Sequence, residues 1–264
     1  YVKFAGYYWR IIRINSNGSI RMIYDGTSAH KNGEASEDRQ YGTSQFNTSS
    51  YNNMYVGYMY TSGEAHGTST SSVIKTNVDK FYTDKLSSYA SKLDTNAGFC
   101  GDRSNLNQQS GVGTGTVITY NKGYLRVVES SPTLTCENAS DYYTVASASS
   151  GNKKLSYPIG LITADEVMFA GHGGGIFDGE YNYMKSNSKS YLVTGTFFAT
   201  MTPAGGYNLY GTNYWNALIF VISSSGNFDD SSVYNTTCFK PVINLKPDVT
   251  ITGSGTVTDP YVIK

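Results

Sequence analysis

The sequence contains few charged residues, and those present are balanced in sign. Charged residues make up 15% of the 264 positions, and 20 lysines and arginines are matched by 20 aspartates and glutamates. A chain of zero net charge offers no broad basic surface to a polyanion. We therefore expect no nucleic-acid partner.

Long apolar runs are also missing. The longest covers residues 217–222, well short of the roughly 20 residues that a membrane-spanning helix needs, and no signal-peptide pattern is present. The sequence therefore predicts a soluble fragment. Because it begins at Tyr1, within one residue of a strand pattern, we expect an upstream segment to have been removed and any membrane contact to run through that absent N-terminal anchor.

Cysteine is scarce, and its spacing matches no zinc site. The three residues Cys100, Cys136 and Cys238 allow one disulfide. We expect a bond between Cys100 and Cys136, because both lie in loop-like sequence, whereas Cys238 adjoins an apolar strand. The alternative is three unpaired, buried thiols. Low charge combined with 24 tyrosines and 28 glycines is typical of extracellular β-rich proteins, so we expect an extracellular or cell-surface location.

The apolar pattern predicts about two helices among many short strands. Residues 2–14 and 19–25 form a hairpin around the turn NSNG. Residues 73–94 carry apolar side chains every three or four positions, which predicts an amphipathic helix. A shorter helix begins after Thr163, which can cap it. Residues 26–72 have hardly any aliphatic side chain, so we expect long surface loops that add little core.

The remaining apolar segments predict short strands in one domain, since no linker interrupts the chain. They are TVITY, GYLRVVES and residues 191–193, 197–201, 217–222, 239–245, 249–251 and 261–263. Strands and helices do not alternate regularly, which favours an α+β fold with a mostly antiparallel, twisted sheet.

No motif predicts an enzyme. GHGGG at residues 171–175 resembles the oxyanion loop of lipases, but the G-x-S-x-G elbow of the nucleophile is absent. His30, His66 and His172 lack metal-ligand spacing, and Asp229 with Asp230 lacks the spacing of an EF-hand, so we interpret them as loop residues. We expect no catalytic residue, cofactor or metal.

Residues 203–237 have the composition of a recognition surface. Tyrosine, asparagine, glycine and serine supply 18 of these 35 residues, which is the combination that antibody paratopes use. Tyrosine gives a large amphipathic contact area at low entropic cost, and the small polar residues give adaptable hydrogen bonds. The alternative is that Tyr214, Trp215 and Phe220 are ordinary core aromatics and the rest is a polar loop.

The order of short motifs resembles a known group of proteins. The motifs are VKFAGYYWRIIRI, GFCGDRS, YPIGLITADEV, TMTP, NALIFV with SSSGNF, FKPVINLK and GTVTDPYVI. Over nearly the whole chain they are similar to uncharacterised surface proteins of Gram-positive gut bacteria that often carry a prepilin-like N-terminal helix. The C-terminal half resembles the C-type-lectin-like fold of formylglycine-generating-enzyme-like domains and of the variable proteins of diversity-generating retroelements.

The resemblance implies a single C-type-lectin-like domain over residues 1–264, in which the first and last strands pair. It also implies that residues 196–245 form a variable ligand-binding region. The chain departs from the family pattern at Lys240, where arginine is usual, and at Phe198 and Ala199, where a tryptophan often stands. The calcium-dependent sugar signatures E-P-N and W-N-D and the paired catalytic cysteines of the formylglycine-generating site are absent, so those activities are not implied.

The sequence thus predicts an adhesin or receptor-like domain that binds a protein or glycan on a host, bacterial or phage surface. The expected ligand-binding residues are Tyr207, Asn208, Tyr210, Asn213, Tyr214, Asn216, Asn227, Asp229, Asp230, Tyr234 and Asn235. One alternative is a structural or minor subunit of a pilus-like filament. A second is a glycan-acting enzyme, which needs two carboxylates at a fixed separation; Asp165 and Glu166 are poor candidates, because adjacent helical residues point apart.

Overall fold

A computed structural model describes residues 1–106, 119–148, 150–173, 176–177, 180–181, 187, 189–208 and 215–264. For residues 119, 176–177, 180–181, 207–208 and 215 it describes the backbone alone. In these ranges the strands are β1 (Val2–Phe4), β2 (Tyr7–Ile14), β3 (Ile20–Gly26), β4 (Gly42–Gln45), β5 (Met59–Tyr60), β6 (Thr70–Ser71), β7 (Phe99–Cys100), β8 (Thr119–Tyr120), β9 (Tyr142–Tyr143), β10 (Ile159–Gly160), β11 (Ile176–Phe177), β12 (Glu180–Tyr181), β13 (Phe198–Asn208), β14 (Trp215–Ile222), β15 (Phe228–Ser232), β16 (Thr236–Phe239), β17 (Val242–Leu245), β18 (Ile251–Thr252) and β19 (Tyr261–Ile263). The α-helices are α1 (Val73–Phe81), α2 (Lys122–Glu129) and α3 (Ala164–Phe169).

The chain is an α+β protein built on two main sheets, in which most strand pairs are antiparallel. The first sheet has the order β10-β17-β3-β2-β1-β19-β18. The second has the order β15-β14-β13-β16-β4, with β8 also paired to β13. The fold class predicted from the sequence is therefore confirmed.

The first and last strands pair, as the family resemblance implied. Strand β1 lies parallel to β19, with Val2 opposite Tyr261. The predicted strand over residues 2–14 is in fact two strands, because Ala5 and Gly6 adopt φ angles of 52° and 82° and turn the chain back on itself. Two consecutive residues with positive φ are typical of a type I′ hairpin turn. The predicted hairpin to β3 follows.

One hydrophobic cluster connects the two sheets and packs against α1. It includes Trp9 of β2, Phe81 of α1 and the whole apolar run of β14. Residues 217–222 are all buried, so both faces of β14 are covered. This explains a continuous apolar run in place of an alternating pattern.

The predicted helix over residues 73–94 exists, but its winding changes along its length. Ser72 caps α1 by accepting a hydrogen bond from the backbone of Lys75 at 3.2 Å. The chain then continues as a π-turn over Tyr82–Leu86 and a 3-10 segment over Ser87–Lys92. Helix α3 begins with a capping box, in which Thr163 and Glu166 each bond the other's backbone nitrogen.

Several sequence predictions about local structure are wrong, and the single strand predicted over residues 239–245 is divided between β16 and β17. GYLRVVES forms α2 in place of a strand, because Tyr124 and Val127, three residues apart, are buried on one helix face. Residues 191–192 lie in a turn, and residue 193 lies in no strand. Residues 26–72 contribute buried side chains such as Phe46, Val56 and Tyr58, and they supply β4 at the edge of the second sheet.

The structure joins Cys100 of β7 to Cys136 as a disulfide, with the Cα atoms 5.6 Å apart. Cys136 lies in the loop that follows α2, so the bond connects that loop to the two-stranded sheet of β7 and β9. Cys238 on β16 is a half-buried free thiol, and burial raises its pKa.

Candidate functional site

The eleven predicted ligand-binding residues are only partly visible. Tyr210, Asn213 and Tyr214 lie outside the described residues, and Tyr207 and Asn208 are described as backbone at the end of β13. The described members are Asn216, Asn227, Asp229, Asp230, Tyr234 and Asn235.

Backbone pairing brings one group of the predicted residues to the same end of the second sheet. Tyr207 is opposite Asn216 on β14. The backbone nitrogen of Val233 donates to the carbonyl of Ala217 at 3.0 Å, which places Tyr234 and Asn235 beside the same end of β14. The sequence therefore folds two separated tyrosine- and asparagine-rich segments toward each other.

Asn227 lies at the opposite end of β14 and does not join this group. It ends the turn that follows Ile222, where its carbonyl accepts from the nitrogen of Ser223 at 2.8 Å. Pairing runs from Ile222 opposite Phe228 to Leu218 opposite Ser232, a span of four residue steps or about 13 Å. The predicted set is thus divided between two ends of the sheet.

Asp229 and Asp230 lie between the two ends, on the outermost strand of the described sheet. Asp229 is exposed and pairs across from Val221, and Asp230 is half-buried and pairs across from Phe220. Consecutive strand residues point to opposite faces, so the two carboxylates do not converge on one ligand. Charged residues on an edge strand disfavour pairing with another strand.

The structure adds residues that sequence reasoning missed. The nitrogen of Ala217 donates to the carbonyl of Ser50 at 2.9 Å, which places Tyr51 beside the group around Tyr234. Gln45 of β4 donates from its side chain to the carbonyl of Tyr234 at 2.7 Å. Tyr51 and Tyr234 are 60% and 56% exposed. The sequence carries no signal for Tyr51, because its exposure and its position beside β14 follow from a long-range backbone contact.

We call the set of Gln45, Tyr51, Asn216, Tyr234 and Asn235 the tyrosine surface. Its supporting loop is held by polar contacts. The buried Asn47 donates from its backbone to Val233 at 2.8 Å and from its side chain to Tyr55 at 3.2 Å. Asn52 caps the 3-10 turn Asn53–Val56. The tyrosine surface is therefore presented by an ordered framework.

The histidines are engaged in structural contacts. His30 lies between two carboxylates, with Nε2 at 2.7 Å from Asp38 and Nδ1 at 3.1 Å from Glu34. Burial alone would lower the pKa of His30, but the hydrogen bonds to Glu34 and Asp38 outweigh it and raise the pKa. Ser28 is 3.1 Å from Nε2, but Asp38 lies closer to the same nitrogen, so His30 is oriented by carboxylates rather than toward Ser28.

The other two histidines hold loops in place. Nδ1 of His66 lies 2.7 Å from the buried Asp141, which also binds Arg103 at 2.6 Å. His172, within GHGGG, has its Nδ1 at 2.6 Å from the carbonyl of Gly226, and burial lowers its pKa. Gly226 adopts a φ of 86° in the turn before β15, so His172 supports that turn. Residues 174–175 of the motif lie outside the described residues.

The carboxylates of α3 are bound to different arginines. Asp165 accepts from Nε of Arg126 at 2.8 Å, and Glu166 lies 2.5 Å from Nε of Arg21. Both are therefore engaged as ion-pair partners, which is a poor state for a general acid. Within the described ranges, no three His, Cys, Asp or Glu side chains form a group that could hold a metal ion.

Comparisons of the chain with protein-family models, with curated proteins and with solved structures find no match. Among the described residues, no helix combines the length and apolar character that crossing a membrane would require.

Proposed function

We propose that this protein is an extracellular ligand-binding domain of the adhesin or receptor type, which contacts its ligand through the tyrosine surface. The observation that carries the proposal is the convergence of two largely exposed tyrosines from distant segments. Tyr51 and Tyr234 each follow directly after a residue that hydrogen-bonds the backbone of Ala217. Exposed aromatic rings on a fixed framework are typical of binding hot spots.

The amides around the two rings support recognition of a specific partner. Gln45, Asn216 and Asn235 carry side chains with both hydrogen-bond donors and acceptors. Tyrosine rings supply contact area, and amides set orientation, which is the division of labour seen in paratopes. The described acids and histidines, by contrast, are largely engaged in contacts within the chain, so few of them are available for acid–base catalysis.

We further propose a C-type-lectin-like fold and a place among the variable proteins of diversity-generating retroelements. The pairing of β1 with β19 and the position of β13, β14, β15 and β16 in the second sheet support this proposal. The genomic neighbourhood tests it. An adjacent reverse transcriptase with a near-identical template repeat of this region is expected, and a neighbourhood without both would contradict the variable-protein part.

Binding by the tyrosine surface is tested with Tyr51→Ala combined with Tyr234→Ala. The labelled protein is applied to cultured epithelial cells and to a printed glycan array. Truncating two hot-spot tyrosines is expected to cost about 2 kcal/mol or more, or about 30-fold in affinity. The matched control is Tyr89→Ala, since Tyr89 is 40% exposed but lies on the 3-10 segment after α1.

Equal binding by the double variant and the wild type would contradict the proposal, as would the absence of any binding by a folded wild-type protein. The solution size of the wild type separates the filament alternative. A monomer at high concentration supports the binding domain, whereas self-association that the double variant abolishes would assign the tyrosine surface to subunit contacts.

A further inference from the structure

A polar cleft of about 470 Å³ lies where β2, β3, α2 and α3 meet. Its volume is within the range of small-molecule sites. Thr202 of β13 forms part of its wall, whereas Asn216 of the tyrosine surface pairs with Tyr207, which lies five residues or up to about 17 Å farther along β13. The cleft is therefore separate from the surface proposed above.

The charges in the wall of the cleft cancel. Three arginines face three carboxylates, which are Arg13, Arg21 and Arg126 with Asp102, Asp165 and Glu166. Glu166 binds Arg13 at 3.1 Å and Arg21 at 2.5 Å. Arg126 binds Asp102 at 3.1 Å and Asp165 at 2.8 Å. A ligand with a net charge would have to compete with these pairs and would meet like charges in the same wall.

The wall still offers hydrogen bonds to a ligand. Arg13 is 28% exposed, and in the part of the chain that the structure describes it donates only through Nε, to Glu166. Its two terminal nitrogens therefore have donors to offer. Ser16, Asn96 and Thr135 are exposed and also line the cleft, so hydroxyl and amide groups surround the charged wall.

An apolar contact is available at the same place. Leu134 lines the cleft and is 52% exposed, and Tyr142 lines it as well, with its hydroxyl accepting a hydrogen bond from the nitrogen of Gly98 at 3.0 Å. The cleft thus combines closely spaced donors and acceptors with an aliphatic side chain and an aromatic ring.

We propose that this cleft binds a neutral, polyhydroxylated molecule of the size of a mono- or disaccharide. Each hydroxyl both donates and accepts, so a ring of hydroxyls matches alternating guanidinium donors and carboxylate acceptors without disturbing the ion pairs. The C–H faces of such a molecule would contact Leu134 and Tyr142.

The ligand class is tested by titrating the full chain with glucose, galactose, mannose, N-acetylglucosamine and lactose, followed by saturation-transfer NMR. Glucuronate and glucosamine serve as charged analogues of glucose. At least one neutral sugar is expected to bind with a Kd in the range of about 1 mM or below, about tenfold tighter than either charged analogue. No binding by any neutral sugar, or tighter binding of a charged analogue, would overturn the proposal.

The location is tested with two variants that leave the ion pair of Arg21 with Glu166 and the ion pairs of Arg126 in place. Arg13→Met removes the free donors, while Glu166 keeps Arg21. Thr135→Trp fills the opening from an exposed position. Both are expected to weaken sugar binding by about tenfold or more, and thermal melts verify that they fold.

The matched controls are Lys3→Met and Thr252→Trp, which change exposed residues of β1 and β18 outside the cleft and should bind sugar like the wild type. Sugar binding that survives in both cleft variants would overturn the assignment. The tyrosine double variant should bind sugar normally, so failure of the adhesin proposal and failure of this one are distinguishable.

Discussion

The carboxylate of Asp25 on β3 lies close to several cationic side chains inside the protein. Arg39 binds it through Nε at 2.9 Å and a terminal nitrogen at 2.7 Å, and both residues are fully buried. Arg39 also donates to the carbonyls of Tyr191 and Val193. One guanidinium therefore fastens the segment before β4 and the segment before β13 to the first sheet.

Lys240 also lies near Asp25, but its contact with that carboxylate is longer than the contacts of Arg39. It is 1% exposed, and its Nζ lies 3.7 Å from Asp25, close enough for an ion pair but too far for a hydrogen bond. Burial lowers the pKa of Lys240 to about 8, against the attraction of Asp25 and with repulsion from Arg39 and Arg10. At neutral pH the protein thus keeps a buried ammonium that makes no hydrogen bond to the described residues.

This environment makes stability depend on pH above neutrality. Between the folded pKa of about 8 and the ordinary lysine pKa of 10.5, the unfolded chain holds a proton that the folded chain has released, so the free energy of unfolding rises with pH. Relative to Lys240→Met, the wild type is expected to gain about 2 kcal/mol between pH values of about 8 and about 10. Urea denaturation of both proteins across this range measures the difference.

Subtracting the free energy of unfolding of Lys240→Met from that of the wild type removes the contributions that both proteins share. Those include the buried tyrosines, such as Tyr143, whose pKa burial raises to about 12. Lys85→Met changes an exposed lysine and should show the same pH dependence as the wild type. If the free energy of unfolding depended on pH in the same way in the wild type and in Lys240→Met, the result would contradict a lowered pKa of Lys240.

At the scale of single elements, β14 carries the centre of the second sheet. Phe220 is fully buried, stacks on Tyr124 of α2 with ring centroids 6.5 Å apart, and meets Phe228 of β15 edge-on at 5.9 Å. One ring therefore joins three elements. The framework behind the tyrosine surface depends on this packing.

Phe220→Ala is expected to destabilise the protein by about 3–5 kcal/mol, because it removes a buried ring and leaves a cavity. Phe197→Ala removes the same side chain from a position that is 44% exposed and should cost clearly less. Chemical denaturation of both variants provides the measurement. Equal losses would show that the burial of Phe220 does not matter for stability.

The elements that were predicted well from the sequence are those that the pattern of apolar residues or a capping residue indicates. The predicted bounds of β19 match the observed ones, the run over residues 217–222 falls within β14, and Thr163 caps α3 as expected. GYLRVVES was mistaken for a strand because its valines favour strands, whereas burial of one helix face decided the structure. Segment 26–72 was mistaken for surface loops because polar contacts, which leave no periodic pattern, hold it in place.

The candidate site was predicted in part for the same reason. Composition drew attention to residues 203–237, and backbone contacts bring Asn216 and Tyr234 of that range to the same end of β14. Composition could not show that Asn227 lies at the other end of β14, because strand pairing decides which residues meet. Nor could it bring in Tyr51 and Gln45, which approach through a long-range backbone contact and a side-chain bond.

At the scale of the whole molecule, long-range connections hold distant segments together. The pairing of β1 with β19 brings the two ends of the described chain side by side. The disulfide between Cys100 and Cys136 closes a loop of 36 residues. Its second half-cystine lies beside Leu134 and Thr135, so the bond also fixes one wall of the polar cleft.

Replacing both bonded cysteines with serine is expected to lower the free energy of unfolding by about 4 kcal/mol, since a cross-link over a loop of this length restricts the unfolded chain. Cys238→Ser is the matched control, because Cys238 is free, and it should change stability little. Denaturation of the three proteins, with and without a reducing agent, measures both effects. The reducing agent should destabilise the wild type and Cys238→Ser but leave the double variant unchanged.

A wild type whose stability is insensitive to reduction would contradict a stabilising cross-link. If the double variant kept its fold but lost sugar binding, the bond would serve mainly to shape the cleft.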